Sequence, residues 1–291
     1  MKHSKQLLVY FGRHKCASIW IAGIISEVCH VLRQNNGYVN GVSDAYLDFN
    51  KDPNKYVKEN KIDFLSYNNA NNNIVTRSDD FKGFHVVRDP RDICVSAYFS
   101  HLYSHPTDRW SELERHRNEL KKLSKAEGLL LDMKFTSFVF EQLYNWDYSN
   151  HNIFNIKMES LIRNPYEKFM EIFLFLGILD ERPFTRKRQV SFYIEQILFY
   201  IVQRLHYRGL IPFRHSMRKI HVEKLLFIIY NNRFSKKAEG RNVGGEDIKS
   251  HYRKGVPGDW INHFLEEHIK YFKTNYNELL IKMGYESKDD W

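Results

Sequence analysis

The sequence predicts an α/β fold: a single domain with a central, mostly parallel sheet flanked by helices. Three observations carry that expectation. The chain opens on a strand, a short loop and a helix. Two later β-favouring runs are each followed at once by helical periodicity. No internal repeat or Pro/Ser-rich linker divides the 291 residues, so 1–291 reads as one domain.

Taken in order, Leu7-Leu8-Val9-Tyr10-Phe11 is a β-favouring run that ends at Gly12 and reads as a buried strand. From Ser18 the apolar residues Ile19, Ala22, Ile25, Cys29 and Leu32 recur at helical spacing, which predicts a helix of about four turns. The Asn-, Asp- and Lys-rich span 35–82, with Asn68-Asn69-Ala70-Asn71-Asn72-Asn73 in it, predicts loop with short helices. Phe84-His85-Val86-Val87 is a second strand, followed by helix over 91–104 and further helix over 110–146. Ile153 to Met158 alternates as a third strand, and a helix from Tyr166 to Leu176 stops at Gly177. The span 186–235, rich in Phe, Tyr, Ile and Leu, predicts one or two long helices; for the aromatic part at 192–213 core packing is the expected use, ahead of a lid or an interface with another chain or a membrane surface. A Gly-rich polar loop over 239–258 precedes a last amphipathic helix over 259–283.

Composition narrows the partners. With 43% hydrophobic and 27% charged residues the chain is neither a disordered segment nor a disulfide scaffold. Lys plus Arg total 44 against 35 Asp plus Glu, and the surplus of +9 suits nucleic acid, an acidic membrane or a phosphorylated small molecule. Cys16, Cys29 and Cys94 show no CxxC spacing and read as buried thiols in a reducing compartment. The apolar run Leu7 to Gly12 is too short for a signal-peptide core or a bilayer span, so a cytoplasmic protein with no integral membrane segment is expected.

Three segments are suited to anions. The loop Gly12-Arg13-His14-Lys15-Cys16-Ala17 leads into a helix whose first N–H groups point outward unpaired beside a lysine, although the GxxxxGK[ST] spacing is absent. Arg88-Asp89-Pro90-Arg91-Asp92 ends a strand, with Ser96 in the following helix. Arg88 and Ser96 suit an anion at the sheet's carboxyl edge, while Asp89 caps the helix with Pro90 at its first position. Arg253-Lys254-Gly255-Val256-Pro257-Gly258-Asp259-Trp260 sets two cations before a glycine turn, with Asp259 expected to cap the last helix.

Together these segments resemble the sulfotransferases that use 3′-phosphoadenosine 5′-phosphosulfate (PAPS), on the cytosolic and bacterial branch. Lys15-Cys16-Ala17-Ser18-Ile19-Trp20 is similar to that family's KSGTTW-like loop for the 5′ side of the donor. Arg88 through Tyr98 is similar to its RDPRDxxVSxY, and Arg253 through Trp260, with Phe264, to its RKGxxGDWxxxF. Lys157-Met158-Glu159-Ser160-Leu161 is a weaker echo of its YEDL. The resemblance implies a P-loop-like nucleotide-binding architecture. It also implies sulfuryl transfer from PAPS to a hydroxyl or amine of a small-molecule or glycan acceptor. Lys15 is then expected on the bridging oxygen, Cys16, Ala17, Ser18 and Ile19 around the 5′ group, and Trp20 beside the adenine. Arg88, Ser96, Arg253, Lys254 and Gly255 are expected at the 3′-phosphate, with Phe234 a further nucleotide contact.

The chain departs from the family at Ala17 (Gly), Ile19 (Thr) and Met158 (Tyr). It also lacks the histidine of the THLP-like segment, where Phe64-Leu65-Ser66-Tyr67-Asn68 stands instead, and His85 reads as a packed strand residue. The base is therefore expected at His101 or His105, four apart on one helical face, the alternatives being a carboxylate or an acceptor acidic enough to need no base. No His, Cys and carboxylate set stands at ligand spacing, so no metal is expected. Residues 38–75, 98–146 and 190–235 are the expected acceptor walls. A nucleic-acid-binding protein is the competing reading, from the charge and 44 aromatic side chains. Cations grouped at single-phosphate sites argue against it, and no nucleic acid is expected. A nucleotide kinase with a degenerate loop would lack any Walker signature.

Overall fold

The computed structural model describes residues 6–40, 53–70, 81–108, 110–182, 185–211 and 219–291. Its frame is a five-stranded, wholly parallel sheet in the order β2-β3-β1-β4-β5. The strands are β1 (Leu7–Gly12), β2 (Asn36–Asn40), β3 (Phe64–Asn68), β4 (Phe81–Val87) and β5 (Ile153–Lys157). β1 lies at the centre, and its alternate residues feed two cores: Leu8 and Tyr10 face one, Val9 and Phe11 the other. Such burial on both faces is why the run is uninterrupted hydrophobic.

Helices α1 (Ser18–Leu32), α7 (Met158–Arg163) and α8 (Pro165–Phe175) pack with Tyr10, Phe84 and Val86, joined by α10 (Val222–Asn231). A separate cluster unites α3 (Pro90–Phe99), α5 (Lys125–Phe135), α6 (Ser137–Tyr144) and α12 (Glu266–Lys282). The remaining helices are α2 (Pro53–Glu59), α4 (Ser111–Leu120), α9 (Arg186–Tyr207) and α11 (Phe234–Lys237). A two-residue strand pair, β6 (Leu179–Asp180) with β7 (Ile220–His221), stands apart from the main sheet. No helix among the described residues is long and apolar enough to cross a membrane.

The parallel α/β arrangement agrees with the expectation, as do the β1–α1 opening and the end of α8 at Gly177, whose φ is +74°. Four expectations need correction. The span 35–82 holds β2 and β3; the parts of it at 41–52 and 71–80, including Asn71, Asn72 and Asn73, lie outside the described residues. β3 was hidden because Phe64, Leu65 and Tyr67 sit in Asn-rich surroundings, and its burial comes from neighbouring strands. Second, the helix expected over 91–104 gives way after Phe99 to a π-helical turn, Ser100–Ser104. Third, the last helix is split into a 3₁₀ turn, Asp259–Asn262, and α12, so Asp259 does not cap α12. Fourth, α9 is exposed instead of packed in the core: Val190, Ile194 and Ile197 are all more than half exposed.

Candidate functional site

The three anion-suited segments meet at the carboxyl edge of β1 and β4. Lys15 and Ala17 both adopt positive φ, 59° and 58°, a left-handed conformation that turns the loop tightly ahead of α1. Successive N–H groups in such turns form a concave anion cradle, and the helix start adds its own unpaired donors. The Ser18 hydroxyl donates to the Arg13 carbonyl at 2.8 Å, so it braces the loop. Trp20 donates Nε1–H to the Asn232 carbonyl at 2.7 Å and meets Phe169 edge-on, packing against the α8 side.

Arg88 ties this loop to the second segment by donating to the Lys15 carbonyl at 3.0 Å. Asp89 caps α3, accepting from the Arg91 backbone N–H at 2.9 Å with Pro90 at the first helical position, as expected. Asp92 ties the second segment to the third. Its carboxylate is 1% exposed and accepts the backbone N–H groups of Gly258 at 2.7 Å and Trp260 at 3.0 Å. Glu159, in the weaker fourth motif, accepts the Asp89 backbone N–H at 2.9 Å. Segments more than 150 residues apart in sequence thus share one wall.

Arg253 and Lys254 both donate to Asp259 at 2.5 Å, and Arg253 also pairs with Glu246 and lies 4.8 Å from the Phe99 ring centre. Burial opposes the Asp259 charge, but the hydrogen bonds from Lys254, Asn262 and Arg253 hold its carboxyl well below the usual range. Gly255 has φ +71°, and a Cβ there would stand 2.6 Å from the Phe234 ring, so this backbone lies flat against Phe234. Ser96 is half-buried on α3, and its hydroxyl has no partner among the described residues.

The opposite side of the Lys15 loop is a cluster of imidazoles. Lys15 Nζ donates to Ser100 Oγ at 2.5 Å, and burial, with Arg88 adding to it against the pull of Asp132, brings its pKa down to about 7. Beside it, His14 Nε2 lies 3.0 Å from His101 Nε2, and His101 Nδ1 lies 2.7 Å from Asp132 Oδ1. His116 Nε2 reaches the same Asp132 oxygen at 2.8 Å. Burial raises Asp132, yet His101 and His116 outweigh it and keep the carboxyl below its usual range. Because that carboxylate accepts, His101 Nδ1 carries a proton; in a neutral His101 ring Nε2 then accepts from His14 Nε2–H. His14 Nδ1 is left with a lone pair and no partner among the described residues. Burial, then Lys15 and the neighbouring histidines His101, His105 and His251, hold His14 well below the ordinary histidine value. Trp110 and Phe138 close over His14 with ring centres 6.0 and 6.2 Å away.

These positions revise the expectation for the base. His101 is 0% exposed, with one ring nitrogen engaged by His14 and the other by Asp132. The π turn explains the difference: it widens the helix and turns His101 inward, while His105 follows in extended backbone. His105 is half-buried, with Nδ1 3.0 Å from the Pro106 carbonyl, its pKa depressed to about 4 by burial and then Lys15. His85 is buried in β4, accepting from Arg13 Nε at 3.0 Å, the packed strand residue expected. Sequence reasoning missed His14, His116 and Asp132. His14 had one signal, its place directly before Lys15; the other two lie on α4 and α5 with no motif around them. His101, His116 and Asp132 offer three donor atoms within 4.8 Å, a grouping their spacing concealed. All three atoms are used in the hydrogen bonds just described. Cys16, Cys29 and Cys94 are all buried and take part in no disulfide.

The chain belongs to the sulfotransferase domain family, whose model matches residues 26–200. That match starts after the Lys15 loop and ends before Arg253, so the roles of those two segments rest on their geometry. A crystal structure of mouse sulfotransferase SULT7A1 complexed with PAP is similar at 16% identity, with TM-score 0.52, over 95% of this chain and 85% of that one. A structure of retinol dehydratase in complex with androsterone and inactive cofactor PAP aligns at 13% identity, with TM-score 0.48, over 94% of this chain and 80% of that one. No curated protein matches by sequence. At these identities the first likeness speaks for the fold alone.

Proposed function

We propose that this sulfotransferase, acting as one domain over 1–291 in a reducing cytoplasmic compartment, moves a sulfuryl group from PAPS to a hydroxyl or amine of a small-molecule or glycan acceptor. One observation carries the reading: Arg88 bonded to the Lys15 carbonyl, and Asp92 bonded to Gly258 and Trp260, join three anion-suited segments into a single wall. The residues present fit such a donor, with unpaired helix N–H groups and Lys15 for the 5′ side. Ser96, Arg88, Arg253 and Lys254 suit the 3′-phosphate, and Phe234 against Gly255 gives a flat apolar face for the base. The guanidinium of Arg253 keeps donors beyond those used on Asp259 and Glu246. When bound, the donor supplies a sulfuryl group attached to a good phosphate leaving group.

Lys15, held by Ser100, stabilises the negative charge that grows on the leaving oxygen, a contribution commonly worth about 3–4 kcal/mol. His14 Nδ1 takes the proton of the acceptor hydroxyl or amine. His101 and Asp132 fix the tautomer and orientation of His14 and stabilise the imidazolium that forms. The rings of Trp110 and Phe138 neighbour the His14 ring and support an acceptor with an apolar surface near its reacting group.

The test is thermal: 3′,5′-adenosine bisphosphate is expected to raise the melting temperature by mass action, and AMP much less. Equal shifts from the two nucleotides would remove the 3′-phosphate assignment.

A further inference from the structure

The stretch 181–219 is an excursion. It leaves at Asp180 and returns at Ile220, and β6 and β7 pair with Leu179 opposite Ile220 and Asp180 opposite His221. Leu179 and Ile220 are both buried in the core that holds α1 and α8. The excursion can therefore be carried without altering the frame, and its largest element is α9. Among the described residues α9 contributes no side chain to any core cluster.

Its sequence is nonetheless amphipathic. Val190, Ile194, Ile197, Leu198, Tyr200 and Ile201 fall on one face at helical spacing, along about 16 Å of axis. Those six side chains are 48–63% exposed. A contiguous apolar stripe of this length on a protein surface needs a partner. Charge identifies the partner. Residues 181–219 contain nine Lys and Arg against two Asp and Glu, seven of the chain's net +9 in 39 residues. Arg186 and Lys187 stand at one end of the stripe and Arg204 and Arg208 at the other, all four exposed.

We propose that α9 lies in the interface of an anionic lipid membrane, its apolar face sunk below the headgroups and its flanking cations on lipid phosphates and carboxylates. Apolar area plus cation attraction is how surface-lying helices bind an anionic leaflet. Arg and Lys stems bracketing the stripe reach outward to headgroup level while their methylenes stay on apolar surface. A second copy of the chain would bring seven like charges against seven and is disfavoured. This docking is independent of the donor assignment.

Sedimentation of the full chain with vesicles tests it, using phosphatidylcholine alone and phosphatidylcholine with about a third phosphatidylserine. Binding is expected only to the anionic vesicles and should weaken with salt. The double variant Ile194→Asp/Ile197→Asp and the quadruple variant Arg186→Gln/Lys187→Gln/Arg204→Gln/Arg208→Gln should each reduce the bound fraction at least tenfold. Both should keep the parent melting temperature and the bisphosphate-induced shift. Absence of binding to anionic vesicles, or equal binding to neutral ones, overturns the proposal. So does a dimer in light scattering that Ile194→Asp/Ile197→Asp dissolves, or a clear loss of melting temperature in that variant, which would put the stripe against the protein itself.

Discussion

The donor wall and the histidine cluster flank the same lysine and handle charge in opposite ways. On the wall, cations and carboxylates are matched at short range: Arg253 and Lys254 on Asp259, Arg91 on Asp89, while Asp92 accepts two backbone N–H groups. In the cluster, one carboxylate, Asp132, serves two histidines, and burial lowers His14, His101 and His105 below the ordinary histidine value. A wall of cations braced by carboxylates suits binding a multiply charged nucleotide. A buried chain of imidazoles ending on one carboxylate suits receiving one proton at one moment. Lys15 belongs to both, held by Ser100 of the π turn and bonded through its carbonyl to Arg88.

Lys15→Ala should break that division most sharply. We expect turnover to fall on the order of a hundredfold or more with a smaller loss of nucleotide affinity, since the contact strengthens as the leaving oxygen gains charge. Separate measurement of kcat and of bisphosphate binding decides it; equal losses in both would make Lys15 a binding residue only.

On the cluster side, His14→Ala should lower turnover about a hundredfold, in the usual range for a general base, without changing the bisphosphate melting shift. His105→Ala should cost less than tenfold, because its ring lies outside the Asp132–His101–His14 chain. A reversal of that order would move the base to His105.

How much of this was legible follows the same division. The wall is built from contiguous motifs in which phosphate-binding groups lie within a few residues of each other, so Lys15, Arg88 and Arg253 could be singled out without a structure. Asp92 stood in one of those motifs, but its bond to a loop 166 residues away could not be read from it. The cluster draws single residues from a loop, a π turn, α4 and α5. Nothing local marks Asp132, whose role exists only because α5 packs under the turn. The π turn itself defeated helical-face reasoning, since a five-residue hydrogen-bond step rotates everything after Phe99. β2 and β3 were lost for a related reason: their strand character comes from pairing, β3 with β1 and β2 with β3.

Asp92→Asn probes the joint between the wall's segments. Losing a buried charged acceptor of two backbone donors costs about 1–3 kcal/mol, so bisphosphate affinity should fall roughly tenfold while His14-dependent chemistry at saturating donor persists. An unchanged affinity would show that the 253–260 loop finds its place without Asp92.

The pH dependence separates the two sides next. Lys15 is lowered to about 7 by burial, and a bound anion favours its charged form. Below pH 7 the lysine is already protonated; above it, each binding event must take up a proton. Bisphosphate affinity should therefore fall as pH rises past about 7, by at most tenfold per unit, with proton uptake visible as a buffer-dependent binding enthalpy. In Lys15→Ala both the slope and the uptake should vanish. Retention of either would transfer the effect to another group, with His251, depressed to about 4, too low to supply it.

The smallest expected effect lies in the glycine turn of the wall, where two positions with similar backbone differ in surroundings. Gly255 has φ +71° with the Phe234 ring 2.6 Å from where a Cβ would stand; Gly258 has φ +78° with nothing within 4 Å. Alanine at either site carries the left-handed penalty of about 1–2 kcal/mol, part of which is offset by the lower freedom of the unfolded chain. Gly258→Ala should therefore lower the melting temperature by only a few degrees and leave nucleotide affinity within twofold. Gly255→Ala adds a displacement of Phe234, and bisphosphate affinity should drop severalfold in that variant alone. Equal affinities in the two variants would mean that Phe234 does not face the nucleotide, and the wall would then recognise its ligand through charge without an aromatic platform.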